Sequence, residues 1–226
     1  MQTQPHQATF FRSARVFDGT SFLAGPQDIL VEDGKITSVT PAGAIEAPAH
    51  ATVQECAGST LTPGLIDSHV HLPVANGITM AGLAEPFSLQ FFETTVTMKS
   101  TLHAGVTTVR DAGGTDLGAK VAQERGIIEG PAVLLSVNIM SQTGGHGDGW
   151  LRDGVTQPFV AEHPGRPSGV ADGVEGVRAA VRRLFRAGAD QIKICTTGGV
   201  LSAHDAPRHS QFSRGEIDAI IEEAEM

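Results

Sequence analysis

The chain has 226 residues, 16 Lys and Arg against 25 Asp and Glu for a formal charge of −9, and 40 % hydrophobic residues. That is enough apolar material to bury a core and too much for a disordered chain. The acidic balance excludes the basic patch of a general nucleic-acid binder, and it excludes a surface held on anionic lipid by Lys and Arg.

The N-terminus, MQTQPHQATFFRSARVFDG, lacks a basic segment followed by an apolar stretch, and no apolar run approaches the roughly 20 residues that span a bilayer. A cytoplasmic protein without membrane or nucleic-acid partners is expected. From Phe10 to about Thr62 short β-type runs alternate with turn residues. Asp18-Gly19 and Asp33-Gly34 are hairpin signals, because both central turn positions need positive φ. Residues 1–62 are expected to form a small N-terminal β-rich, sandwich-like segment.

After Pro63 strands and helices alternate. Leu65 to Leu72 reads as a strand, Phe87 to His103 as a helix stopped at Gly105, and Val106 to Val109 as a second strand. Asp116 to Gly126 is a second helix and Ala132 to Ile139 a third strand. A long Gly- and Pro-rich loop spans Ser141 to about Ala171. In the third helix Asp172 with Glu175 predicts a capping box. Val174, Val177, Val181, Leu184 and Phe185 recur at helical spacing, and Gly188 ends the helix. Gln191 to Cys195 is a fourth strand. Ser213 with Glu216 predicts another capping box, opening a helix that carries Ile217, Ile220, Ile221 and Ala224 on one stripe.

Repeated β-α units mean an α/β fold with a parallel sheet, doubly wound or closed into a barrel. The candidate chemistry favours the barrel. A complete (β/α)₈ barrel takes about 250 residues, whereas residues 63–226 yield four β-α units. The expected fold is therefore a partial TIM barrel, its N-terminal half.

His69 and His71 lie in PGLIDSHVHL. Side chains alternate along a strand, so both imidazoles point to one face and can share a cation. A bare His-x-His also occurs as two ordinary histidines on a polar strand face. Asp67 shares that face and is a candidate for orienting an imidazole from behind. Lys193 stands between two isoleucines in a strand expected to be buried, where lysine is almost never left without a partner. Burial lowers an amine's pKa. Lys193 can then serve as a Schiff-base amine in a lyase or aldolase, or as a carbamate whose oxygens bind metal. It can also simply snorkel out or pair with a carboxylate. Arg110 and Asp111 close the second strand and suit either substrate binding or a structural ion pair. His146, among the glycines of SQTGGHGD, sits just past the third strand. The segment after the fourth strand adds His204, Asp205, Arg208 and His209. Gly198-Gly199 there is a faint phosphate-binding signal. Cys56 and Cys195 make no disulfide framework, and Cys195 reads as a small buried apolar residue.

Taken together, LTPGLIDSHVHL, AGVTTVRDAGG, QIKICTTGG, SQTGGHGD and TTGGVLSAHDAPRHSQFS resemble the metal-dependent amidohydrolases. The resemblance is narrower for the subgroup of Xaa-Pro dipeptidase-like and ochratoxinase-like carboxypeptidases, and it runs from about Phe11 to Met226. It implies a (β/α)₈ barrel beside a small β-sandwich, with one or two divalent metals, zinc first among them, at the barrel mouth. His69 and His71 match metal ligands. Lys193 matches a lysine carbamylated to bridge two metals, and His146 a loop histidine near the substrate. The implied reaction is hydrolysis of a peptide-like amide in dipeptides or N-acyl amino acids. Two further histidines and a catalytic aspartate, which the resemblance places on later strands, are not among these 226 residues. This chain alone is expected to be incomplete. A homo-oligomer or a missing C-terminal half would cover its open edges, and a non-catalytic truncated half-barrel that needs a partner is the alternative.

Overall fold

A computed structural model describes residues 8–74, 85–200 and 205–226. The chain divides into two compact units, Met1–Gly64 and Leu65–Met226.

The first unit is one mixed sheet. Strands β1 (Ala8–Val16), β2 (Gln27–Glu32), β3 (Lys35–Pro41) and β4 (Ala51–Glu55) lie in the order β3-β2-β1-β4, and β5 (Thr60–Leu61) also pairs with β1. The antiparallel β2–β3 hairpin turns through Asp33 and Gly34 at φ of 50° and 77°, the geometry for which Asp-Gly is favoured. At Asp18-Gly19 the Asp18 carboxylate accepts the amides of Thr20 and Ser21 and closes a tight reversal.

In the second unit β6 (Leu65–Val70), β7 (Val106–Asp111) and β8 (Ala132–Leu135) form a parallel sheet. Helix α1 (Leu89–His103) crosses between β6 and β7, and α2 (Leu117–Glu124) between β7 and β8. A 3₁₀ turn over Leu72–Val74 follows β6. Strands β9 (Ile139–Met140) and β10 (Lys193–Ile194) pair in parallel, with α3 (Gly173–Arg186) between them and α4 (Arg214–Ala224) after β10. The core gathers Met98, Val109, Leu135, Val137, Met140, Val177, Val181, Leu184 and Ile220 between the strands and the inner faces of the helices. This is a mixed α/β fold whose strands succeed one another in parallel across helices. No described helix is long and apolar enough to cross a membrane.

Three local expectations are corrected. The single strand expected over Ala132 to Ile139 is two, because Val137 takes φ of 65°. Asn138 then caps its neighbour, its Oδ1 accepting the Ile139 amide at 2.9 Å. The Asp172–Glu175 capping box does not form. The Asp172 carboxylate is drawn instead to the amide and hydroxyl of Thr143, at 3.0 and 2.5 Å, and the Gly173 amide donates to Glu216. Finally, Val174 and Phe185 are 41 % and 36 % exposed while Val177, Ala180, Val181 and Leu184 carry the buried face of α3. By contrast the Ser213–Glu216 capping box at α4 is complete.

Candidate metal centre

His69 and His71 sit at the end of β6 and just beyond it. Alternation brings their rings together, centroids 5.2 Å apart and planes at 71°. The two Nε2 atoms face each other at 3.3 Å. With metal–nitrogen bonds of 2.0–2.1 Å, two ligands on a tetrahedral ion stand about 3.3–3.4 Å apart, so the pair has the spacing of one edge of such a site. His71 Nδ1 is 2.8 Å from the Gly113 carbonyl oxygen. A carbonyl only accepts, so Nδ1 carries the proton and the Nε2 lone pair is left for a ligand, the arrangement usual around metal-binding imidazoles. His69 is pushed below the ordinary imidazole pKa of 6.5, first by burial and then by the charges of Lys193, His71 and Arg110. Both influences favour the neutral ring, the form that ligates.

Lys193, half-buried on β10, thus stands within electrostatic reach of His69. Among the described residues no three His, Cys, Asp or Glu side chains group as a metal site. Lys193 is the nearby side chain of another kind. An ammonium repels a cation, whereas its carbamate would carry the opposite charge.

The Asp67 carboxylate accepts the backbone amide of His69 at 3.0 Å and so fixes the strand. Arg110 donates from Nε to the Ser68 carbonyl at 2.8 Å, tying β7 to β6 beside the two histidines. Asp111 is fully buried and its carboxylate is surrounded by backbone amides and the Thr115 hydroxyl.

The loop after β9 and the segment after β10 are stitched together around His146. Its amide donates to Gln211 Oε1 at 3.1 Å, and its Nδ1 lies 3.4 Å from the carboxylate of Asp205, a side chain only 4 % exposed. That carboxylate also takes the Gly199 amide at 3.1 Å. The buried Cys195 thiol, raised in pKa first by burial, feels both Lys193 and Asp205. Cys195, next but one to Lys193, thus lies within electrostatic reach of the carboxylate that holds His146. His204 lies outside the described residues. His209 donates its amide to the Ala206 carbonyl within its own turn.

Phe159, in the long loop, packs edge-on against His71 with centroids 4.7 Å apart. The sequence carries no signal for this beyond membership of a loop at the strand ends.

Residues 60–226 match the profile of the Amidohydrolase family. The chain belongs to the amidohydrolase family. Ochratoxinase of Aspergillus niger is 37 % identical over 176 residues, which is 73 % of this chain and 36 % of that protein. A solved structure of A. niger ochratoxinase superposes with a TM-score of 0.78 at 30 % identity, covering 98 % of this chain and 54 % of that one. A prolidase complexed with N-methylphosphonate-L-proline gives a TM-score of 0.85 at 35 % identity, covering 97 % of this chain and 54 % of that one. A Xaa-Pro dipeptidase with methionine bound in its active site gives 0.80 at 28 %, with the same coverage. The amidohydrolase chain described here spans about half the length of these structures.

Proposed function

We propose that this chain carries the first part of a metal-dependent amide-hydrolysing centre, acting on dipeptides or N-acyl amino acids. The observation that supports it most is the 3.3 Å separation of the His69 and His71 Nε2 atoms, with the His71 tautomer set by the Gly113 carbonyl. Lys193 supplies the third ligand after its amine adds carbon dioxide and releases a proton, becoming an anionic carbamate. Zinc suits imidazole and carbamate oxygen. A divalent ion held by these residues would supply Lewis-acid chemistry, activating water and an amide carbonyl.

The side chains of this chain do the rest of the positioning. Asp67 fixes the His69 backbone, and Arg110 holds the strand beside it. His146, held by Asp205, faces the substrate. The names of the ochratoxinase, prolidase and Xaa-Pro dipeptidase relatives support a small peptide-like substrate. Turnover requires a proton acceptor and further ligands from polypeptide that completes a TIM barrel. Consistent with an unfinished sheet, Ile66 of β6 is 70 % exposed.

Zinc titration of the purified chain with and without bicarbonate tests the reading. Binding of at least one ion, tightened by bicarbonate and accompanied by a carbamate signal in ¹³C NMR with labelled bicarbonate, is expected. A folded chain that takes up no zinc would sink it.

A further inference from the structure

We propose that Asp111 is a positioning residue for His71, setting the tautomer and aim of the imidazole without touching it. The inference rests on the metal-centre reading above, and it goes further by assigning a role to a residue outside the ligand set.

Asp111 ends β7 and is fully buried. Its carboxylate accepts four hydrogen bonds. Oδ2 takes the Leu72 amide at 2.9 Å and the Thr115 hydroxyl at 2.8 Å. Oδ1 takes the Gly113 amide at 2.9 Å and the Thr115 amide at 3.3 Å. Two of these donors flank the imidazole. Leu72 directly follows His71 in the chain, and Gly113 is the residue whose carbonyl receives the His71 Nδ1 proton at 2.8 Å. One carboxylate therefore pins the main chain that bears the ligand and the loop that reads its far nitrogen.

A residue that merely shaped the turn would need only Gly113 and Thr115, its near neighbours. The bond to Leu72, 39 residues away in sequence, has no part in that turn. It joins the turn to the ligand-bearing strand. The Gly113 main chain packs closely against Ile139. Gly113 holds φ of 130°, and a β-carbon there would meet Ile139 Cγ1 at 2.7 Å. A buried carboxylate loses much if its donors are mispaired, so the whole arrangement resists drift.

Asp111→Asn keeps the shape but replaces one acceptor oxygen by a donor, which must face an N–H or O–H. Thr115→Val removes a single hydroxyl donor. The 226-residue protein is compared with both variants by long-range ¹H–¹⁵N correlation of its imidazole nitrogens, His71 being assigned by loss of its signal in His71→Gln, and by zinc titration. The parent is expected to show the Nδ1–H tautomer at His71. Asp111→Asn is expected to shift it toward Nε2–H and to weaken zinc binding roughly 10–100-fold, the range for outer partners of metal-bound imidazoles. Thr115→Val should move both readouts the same way by less.

A folded Asp111→Asn with unchanged tautomer and unchanged affinity overturns the proposal and leaves a turn-former only. If Asp111→Asn does not fold, an unchanged Thr115→Val overturns it. Should the parent bind no zinc, the metal-centre reading fails on its own, and the tautomer measurement still decides whether Asp111 orients His71.

Discussion

A β-carbon built on Gly199 would fall 2.0 Å from Cε1 of His146 and 2.3 Å from its Nδ1. The imidazole rests against main chain that only glycine leaves open, while Asp205 takes the same nitrogen and the Gly199 amide together. Gly199→Ala must therefore push the ring off its carboxylate. The expected result is a displaced His146 ring resonance together with a loss of about 1–3 kcal/mol, the usual cost of an overpacked site. Imidazole NMR and a urea melt check it, and an unmoved His146 resonance contradicts it.

The histidine pair and the lysine should separate in their response to bicarbonate. Removing His69 or His71 by alanine takes away one of the two Nε2 donors, and zinc affinity should fall by more than the roughly 100-fold attached to outer partners. Lys193→Ala should leave weak zinc binding whose strength no longer depends on bicarbonate. Isothermal titration at fixed pH, with and without bicarbonate, reads both effects.

Acid should loosen the α3–α4 contact through Glu223. Its carboxylate receives Arg182 Nε, Arg182 Nη2 at 3.1 Å and Arg178 Nη1 at 3.3 Å, and the Arg182 bond holds its pKa below the ordinary 4.5. The unfolded chain thus takes up this proton at higher pH than the folded one. The stabilisation is intact above about pH 5 and drains as pH falls through the folded value. Glu223→Gln should be less stable than the parent at pH 7, and the gap should narrow as the pH is lowered below 4.5, as measured by urea unfolding across that range.

Ser213→Ala removes the hydroxyl that accepts the Glu216 amide. Losing an N-cap of this kind costs about 1 kcal/mol. Glu216 also receives the Gly173 amide, so amide exchange should quicken at the start of α3 as well as α4. Exchange confined to α4 would show that the bond between the helices contributes little.

What the sequence made legible was whatever depends on neighbours along the chain. His-x-His alternation foretold two rings on one face, Asp33-Gly34 a tight hairpin, and Ser213 with Glu216 a capped helix. The misses share another character. Asp172 has the residue type of a helix cap, yet Thr143, 29 positions earlier, takes its carboxylate. Val137, a β-branched residue, adopts a positive φ that breaks its strand and that no local pattern announces. Asp111 suggested substrate binding or an ion pair, because its actual partners are mostly backbone amides, which residue type does not display. Phe159 reaches His71 only because the long loop folds back.

That last contact has an engineering consequence. The loop from Ser141 to Ala171 lies at the strand ends, where barrel enzymes vary their specificity, yet one of its rings leans on an imidazole of the candidate metal site. On the proposed function, libraries built by grafting this segment would screen two traits at once, because a graft that alters recognition would also alter the support of the His71 ring. Keeping an aromatic side chain at position 159 should decouple them.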